Sequence, residues 1–224
     1  MDSTIRPDLE AAHALAWAAI GRPGTWWTAQ QRVELAATAL AAMTDDEPLP
    51  PWVAPSTVAG RLPADATAPT AAHDAIHRIA AHAGTLTETW YREMSEALGE
   101  LPYVEIVGLA STMSAVVAFR RAAGLEPWPL PSPVDGEPSR EVPPELVPTP
   151  LNWVPVTAAA APRAAVVQAF TSVPAEDHRL WTLAAAQYIP NLEMVDPRWS
   201  RGTLTRPQME LVATRVAQLR ECFY

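Results

Sequence analysis

Cys222 is the only cysteine among 224 residues, and Glu210 stands twelve positions before it. A thiolate is the nucleophilic form of cysteine, and backbone N–H groups at the start of a following helix would favour it. A carboxyl group such as Glu210 can take or give a proton in support of a thiol. Twelve residues of straight helix place the two roughly 18 Å apart. Cooperation therefore requires the chain to turn near Arg220 and Glu221, or a relay between them. Each residue also has a structural reading. A lone cysteine packs as a small hydrophobe, and an acid in a first helical turn complements the dipole.

A second group lies upstream. His73 and His77 are four apart on one helical face, with Asp74 beside them. That spacing can hold zinc, but no third ligand is identifiable, so neither metal nor cofactor is expected. Arg78 can hold a carboxylate or make an ion pair. Glu105 follows Tyr103 by two residues in an otherwise apolar helix. A buried acid needs partners or a raised pKa, so Glu105 makes a helix-junction hydrogen bond or walls a pocket. His77, Arg78, Tyr103 and Glu105 are the candidate substrate-binding residues; Cys222 and Glu210 are the candidate catalytic ones.

Helical periodicity is the signal that positions these groups. It predicts helices over 8–20, 28–43, 71–83, 88–98, 103–123, 162–171, 174–188 and from about 204 onward. Gly108 inside the longest of them costs roughly 1 kcal/mol against Ala, which suggests close helix packing. Proline separates the helices: five lie in 49–70 and ten in 126–155. The second stretch reads as an extended connector pinned by Trp128 and Trp153. No segment alternates as a strand should, so the expected class is all-α.

Composition narrows the function. The formal charge is −9, and all 16 basic residues are arginine. Without a basic patch, nucleic acid is not an expected partner. One cysteine excludes an intrachain disulfide. The first residues show no apolar signal region. The most apolar run, 103–119, contains Glu105 and several hydroxyls and reads as a buried helix, so no membrane is expected and the location is expected to be cytoplasmic.

Two helices echo each other at a shift of 176 residues, laying Glu34-Leu35-Ala36-Ala37-Thr38 on Glu210-Leu211-Val212-Ala213-Thr214. The stripe Met209, Val212, Val216, Leu219 and Phe223 needs an apolar partner surface. The segment Leu204-Thr205, four residues, Glu210, eleven residues, Cys222 resembles the alkylhydroperoxidase D-like (carboxymuconolactone decarboxylase) superfamily. The N-terminal half is similar to its two-repeat members at Trp27-Thr28 with Arg32, at His77-Arg78-Ile79, at Tyr103-Val104-Glu105-Ile106-Val107-Gly108, and at Phe119-Arg120 with Gly124-Leu125.

The resemblance implies a bundle of about eight helices, commonly oligomeric. It also implies thiol-dependent reduction of a hydroperoxide by a dithiol reductant; other branches decarboxylate lactones without a cysteine pair. It divides the chain into a degenerate first repeat over 1–125, a connector over 126–160 and a second repeat over 161–224. In the peroxidase branch a second cysteine follows the first after two residues, with a histidine four residues later. Here Phe223 and Tyr224 occupy the two spacer positions. A truncated second repeat with impaired turnover is therefore expected, with its stripe under-covered. A non-catalytic oligomerising or ligand-binding module is the alternative, and a decarboxylase-like lyase a second.

Overall fold

The computed structural model describes residues 5–44, 62–190 and 192–219. It is mostly helical: α1 (Pro7–Ala18), α2 (Ala29–Thr44), α3 (Thr70–His82), α4 (Glu88–Leu98), α5 (Glu100–Ala122), α6 (Ala165–Gln168), α7 (Pro174–Gln187) and α8 (Arg206–Leu219).

Local chemistry sets the helix ends. Thr28 and Gln31 form a reciprocal capping box at the start of α2, at 3.1 and 3.2 Å. Thr87 accepts from the Trp90 N–H and opens α4. Gly99, at φ 89°, separates α4 from α5 in a backbone conformation that a side chain resists. Pro102 then falls in the first turn of α5, where its missing N–H costs nothing. At the other end Gly124 donates to the Arg121 carbonyl and Leu125 to the Arg120 carbonyl, a Schellman closure.

α5 is the central element. Ile106, Leu109, Met113 and Val116 meet Leu35, Ala36 and Ala39 of α2 and Ala72, Ala75 and Ile76 of α3 in one core, closed by Trp17, Trp27, Trp90 and Tyr91. α1 and α7 pack against each other and against α5. By length and apolarity α5 alone among the described helices could cross a membrane, but in this fold other helices pack around it.

Two expectations need correction. The chain is not wholly helical. β1 (Leu146–Thr149) and β2 (Asn152–Thr157) form an antiparallel hairpin, pairing Leu146 with Thr157 and Val147 with Val156. Pro148 and Pro155 hid it, because proline reads against a strand. In a two-stranded sheet both strands are edges, so each has a side that needs no ladder donor. The helix expected over 162–171 shrinks to the single turn of α6. There the buried Gln168 side chain donates to the Ala161 and Arg163 carbonyls.

The connector is pinned, as its tryptophans suggest. Trp17 donates to the Pro129 carbonyl at 2.8 Å, Arg120 lies over Trp128, and Trp153 stacks on Tyr91. The backbone N–H groups of Val134, Ser139 and Arg140 bond the carbonyls of Gly21, Gly24 and Thr25.

α8 stands apart. Val212, Val216 and Leu219 are 58, 53 and 65% exposed, and the helix buries no residue. The echo at 176 does not extend to helix geometry. α8 opens on Thr205 and Gln208, which match Thr28 and Gln31 at a shift of 177. Glu34 and Glu210 therefore stand about 100° apart relative to their caps.

Candidate functional site

The strongest electrostatic feature is sealed inside the bundle. Arg32 of α2 donates through one terminal nitrogen to Glu105 of α5 and, at 3.1 Å, to Glu176 of α7. Glu176 also receives Arg179, one turn along α7. The second Glu105 oxygen accepts the Trp26 backbone N–H at 2.6 Å. Two arginines and two glutamates thus form a neutral quartet joining three helices. Arg32, Glu105 and Glu176 side chains are at most 1% exposed.

Two glycines make room for it. A Cβ on Gly24 would sit 1.7 Å from Glu105 Oε1, and one on Gly108 would sit 2.8 Å from Cβ and Cγ of Glu176. The close packing expected at Gly108 is therefore the approach of α7, with a carboxylate lying over the missing side chain.

Burial pushes the Glu105 carboxyl above the ordinary carboxylate range; Arg32 pulls it back and Glu176 raises it again. Desolvation works against the Arg32 cation, but Glu176 and Glu105 overcome it and hold the guanidinium protonated. With so little surface open, the quartet has no path for a substrate. Its chemistry is cohesion, and Glu105 leaves the substrate-binding set for a structural role.

The other expected residues separate into two further groups. Tyr103 lies about 200° around α5 from Glu105, where it packs edge-on to Trp90 and Tyr91. Arg78 lies 4.8 Å over Trp90 and grips the Thr85 hydroxyl and carbonyl. It fastens the turn between α3 and α4, so its donors hold the fold together. His77 is buried beside it on α3. His73 bonds the Thr38 hydroxyl at 2.8 Å through Nδ1, and burial holds its pKa below the usual value. Among the described residues no cluster of three His, Cys, Asp or Glu side chains could hold a metal.

Tyr103 does face open space. A cavity of about 260 Å³ lies between α4, α5 and the hairpin, lined by Tyr91, Tyr103, Trp153 and Phe170. Burial pushes the Tyr103 hydroxyl up to about 12, and burial followed by the neighbouring Glu100 raises Tyr91 as well. Folding therefore favours both neutral phenols. Stability from this source is whole below the unfolded tyrosine pKa of about 10 and is lost as pH rises toward the folded values. Unfolding free energies from denaturant titrations across that window should fall, by roughly 2–3 kcal/mol for Tyr103. Tyr103→Phe should make the fall shallower, with the Tyr91 share remaining, and an unchanged profile would contradict the assignment.

Glu210 forms the third group. Both its oxygens accept the Tyr188 hydroxyl at 2.9 Å, and Arg206 donates from the preceding turn. Slight desolvation raises its pKa, but the bonds from Arg206 and Tyr188 outweigh it and hold the carboxyl below its usual value. Arg206 also reaches the Glu193, Met194 and Asp196 carbonyls, which ties the start of α8 to the preceding segment. The result is a half-exposed, ionised carboxylate fixed in direction. Cys222 lies outside the described residues.

Sequence reasoning gave no role to Glu176, Arg179 or Tyr188. Glu176 reads as an ordinary first-turn acid. The signal available was Gly108 three residues after Glu105, one face with room for a second carboxylate. Comparison with models of protein families, with curated proteins and with solved structures finds no match to this chain.

Proposed function

We propose that this chain is an alkylhydroperoxidase-like, thiol-dependent peroxidase-type oxidoreductase, with Cys222 as the attacking thiol and Glu210 as proton relay. The observation that carries the reading is the Glu210 carboxylate, ionised and oriented by Tyr188 and Arg206 in the helix that leads toward the lone thiol. The sequence resemblance supplies the reaction class. The ionised Glu210 takes the proton of the Cys222 thiol; the thiolate attacks the terminal oxygen of a hydroperoxide, leaving a sulfenic acid and an alkoxide, and Glu210 passes the same proton to the alkoxide to give the alcohol. An external dithiol then reduces the sulfenic acid, giving the thiol, water and the oxidised dithiol. With one cysteine in these 224 residues, every turnover depends on that reductant and is expected to be slow.

α8 runs unbroken to Leu219, nine residues or roughly 13 Å along the axis from Glu210. The same helix offers a surface through which two copies of the chain can pair. The exposed Val212, Val216 and Leu219 supply the apolar face such a pair needs. This favours a homo-oligomer, which is also the core of the second reading, a non-catalytic oligomerising helical module.

One experiment separates the two. Light scattering and hydroperoxide consumption with a dithiol are measured on the unmodified chain, Cys222→Ser and Val216→Glu. The peroxidase reading expects Cys222→Ser to abolish consumption and leave the oligomer, and Val216→Glu to remove the oligomer. An oligomer without consumption supports the second reading, and consumption that survives Cys222→Ser sinks the first.

A further inference from the structure

A cavity of about 440 Å³ opens between the C-terminal halves of α2 and α5 and the start of the connector. Its walls are Trp17, Leu40, Val116, Val117, Leu125 and Trp128. Two polar groups on those walls are already engaged. The Trp17 indole donates to Pro129, and the Thr44 hydroxyl bonds the Leu40 and Ala41 carbonyls. At the edge stand Arg120 and Arg121. Arg120 uses Nε for the Glu126 carbonyl and rests its face 4.1 Å over Trp128. Among the described residues its terminal nitrogens have no bond, and neither guanidinium pairs with a carboxylate. The α5 C-terminus, which would repel an anion, has its Arg120 and Arg121 carbonyls covered by Leu125 and Gly124.

We infer that this cavity binds an apolar monocarboxylate, an alkyl or aryl acid whose body fills the slot and whose carboxylate meets Arg120 and Arg121. Cavities of this size with apolar walls and a few fixed polar groups are the usual form of a small-molecule site. Guanidinium recognises a carboxylate through paired, charge-assisted hydrogen bonds. On a chain of formal charge −9, the two adjacent cations select an anion at short range. The site stands apart from Glu210 and does not depend on the peroxidase reading.

The test is isothermal titration of the full chain with octanoate and with 1-octanol. Octanoate should saturate at one per chain and bind more tightly than the alcohol. Arg120→Gln with Arg121→Gln should weaken octanoate on the order of tenfold and leave 1-octanol unchanged. Ala41→Leu, which narrows the slot from the α2 wall, should weaken both, with thermal melts confirming that each variant folds. Equal binding of acid and alcohol, binding that never saturates, or octanoate affinity untouched by the double substitution would overturn the inference.

Discussion

Replacing Arg32 by Met is expected to destabilise the chain by about 3–5 kcal/mol, the usual cost of removing one partner from a buried ion pair. Met keeps most of the bulk, so little of the loss is packing. What changes is that Glu105 and Glu176 are left facing one another in a space closed to water. In a chain of this size the thermal midpoint should fall on the order of 10 °C. The loss should also depend on pH. Burial already raises the Glu105 carboxyl, and without the cation it rises further above its unfolded value. A carboxyl raised by folding favours the folded state in acid, and that contribution is lost as pH climbs through the folded pKa. The Arg32→Met deficit should therefore be smaller in acid than at neutral pH. Restoring a neutral partner with Glu105→Gln in the same chain should recover part of it. A deficit under about 1 kcal/mol at neutral pH would mean that water screens the quartet as it does a surface pair.

Gly24→Ala is expected to be nearly as damaging. The added carbon falls 1.7 Å from Glu105 Oε1, 2.6 Å from its Cδ and 2.7 Å from an Arg32 nitrogen. None of these groups can step aside cheaply, since Glu105 is fixed by Trp26 and Arg32, and Arg32 by Glu176. The substitution should cost roughly 3 kcal/mol, the upper part of the overpacking range. Gly124→Ala serves as the comparison. Nothing lies within 4 Å of its would-be Cβ, and its cost comes from φ +67° alone, about 1–2 kcal/mol. Denaturant titration of both variants gives the order. If Gly24→Ala is no worse than Gly124→Ala, the Glu105 carboxylate does not rest where the structure puts it.

Most of the helical layout was legible because it depends on local signals. Thr28, Thr87, Gly99 and Gly124 begin or end helices through bonds a few residues long. Tertiary choices were less legible. Glu105 was expected to have a buried partner, but its partners lie 73 and 79 residues away, at the Arg32 guanidinium and the Trp26 backbone N–H. Neither distance leaves a periodic trace. Arg78 has the composition of a ligand-binding residue, and only the fold shows its donors spent on Thr85. The hairpin was hidden by prolines that forbid a central strand but tolerate an edge. The repeat echo aligned two glutamates whose caps differ in register by one residue, an offset visible only once the helix starts are known. For the candidate site, Glu210 was singled out by the resemblance of the 204–222 segment to the alkylhydroperoxidase D-like pattern. Its partner Tyr188 was not, because it comes from the end of a different helix.

The central functional claim is that a fixed, ionised Glu210 serves thiol chemistry at Cys222. A single-turnover reaction tests it most directly. One equivalent of an alkyl hydroperoxide is mixed with the reduced chain, without dithiol, and the alcohol released is compared with oxygen gained at Cys222 by peptide mass spectrometry. The account predicts one alcohol and one added oxygen atom per chain, located on Cys222, formed on the order of a hundredfold more slowly in Glu210→Gln, as expected for loss of general acid–base help. Oxygen found on the methionines instead of Cys222, or a rate untouched by Glu210→Gln, would contradict it.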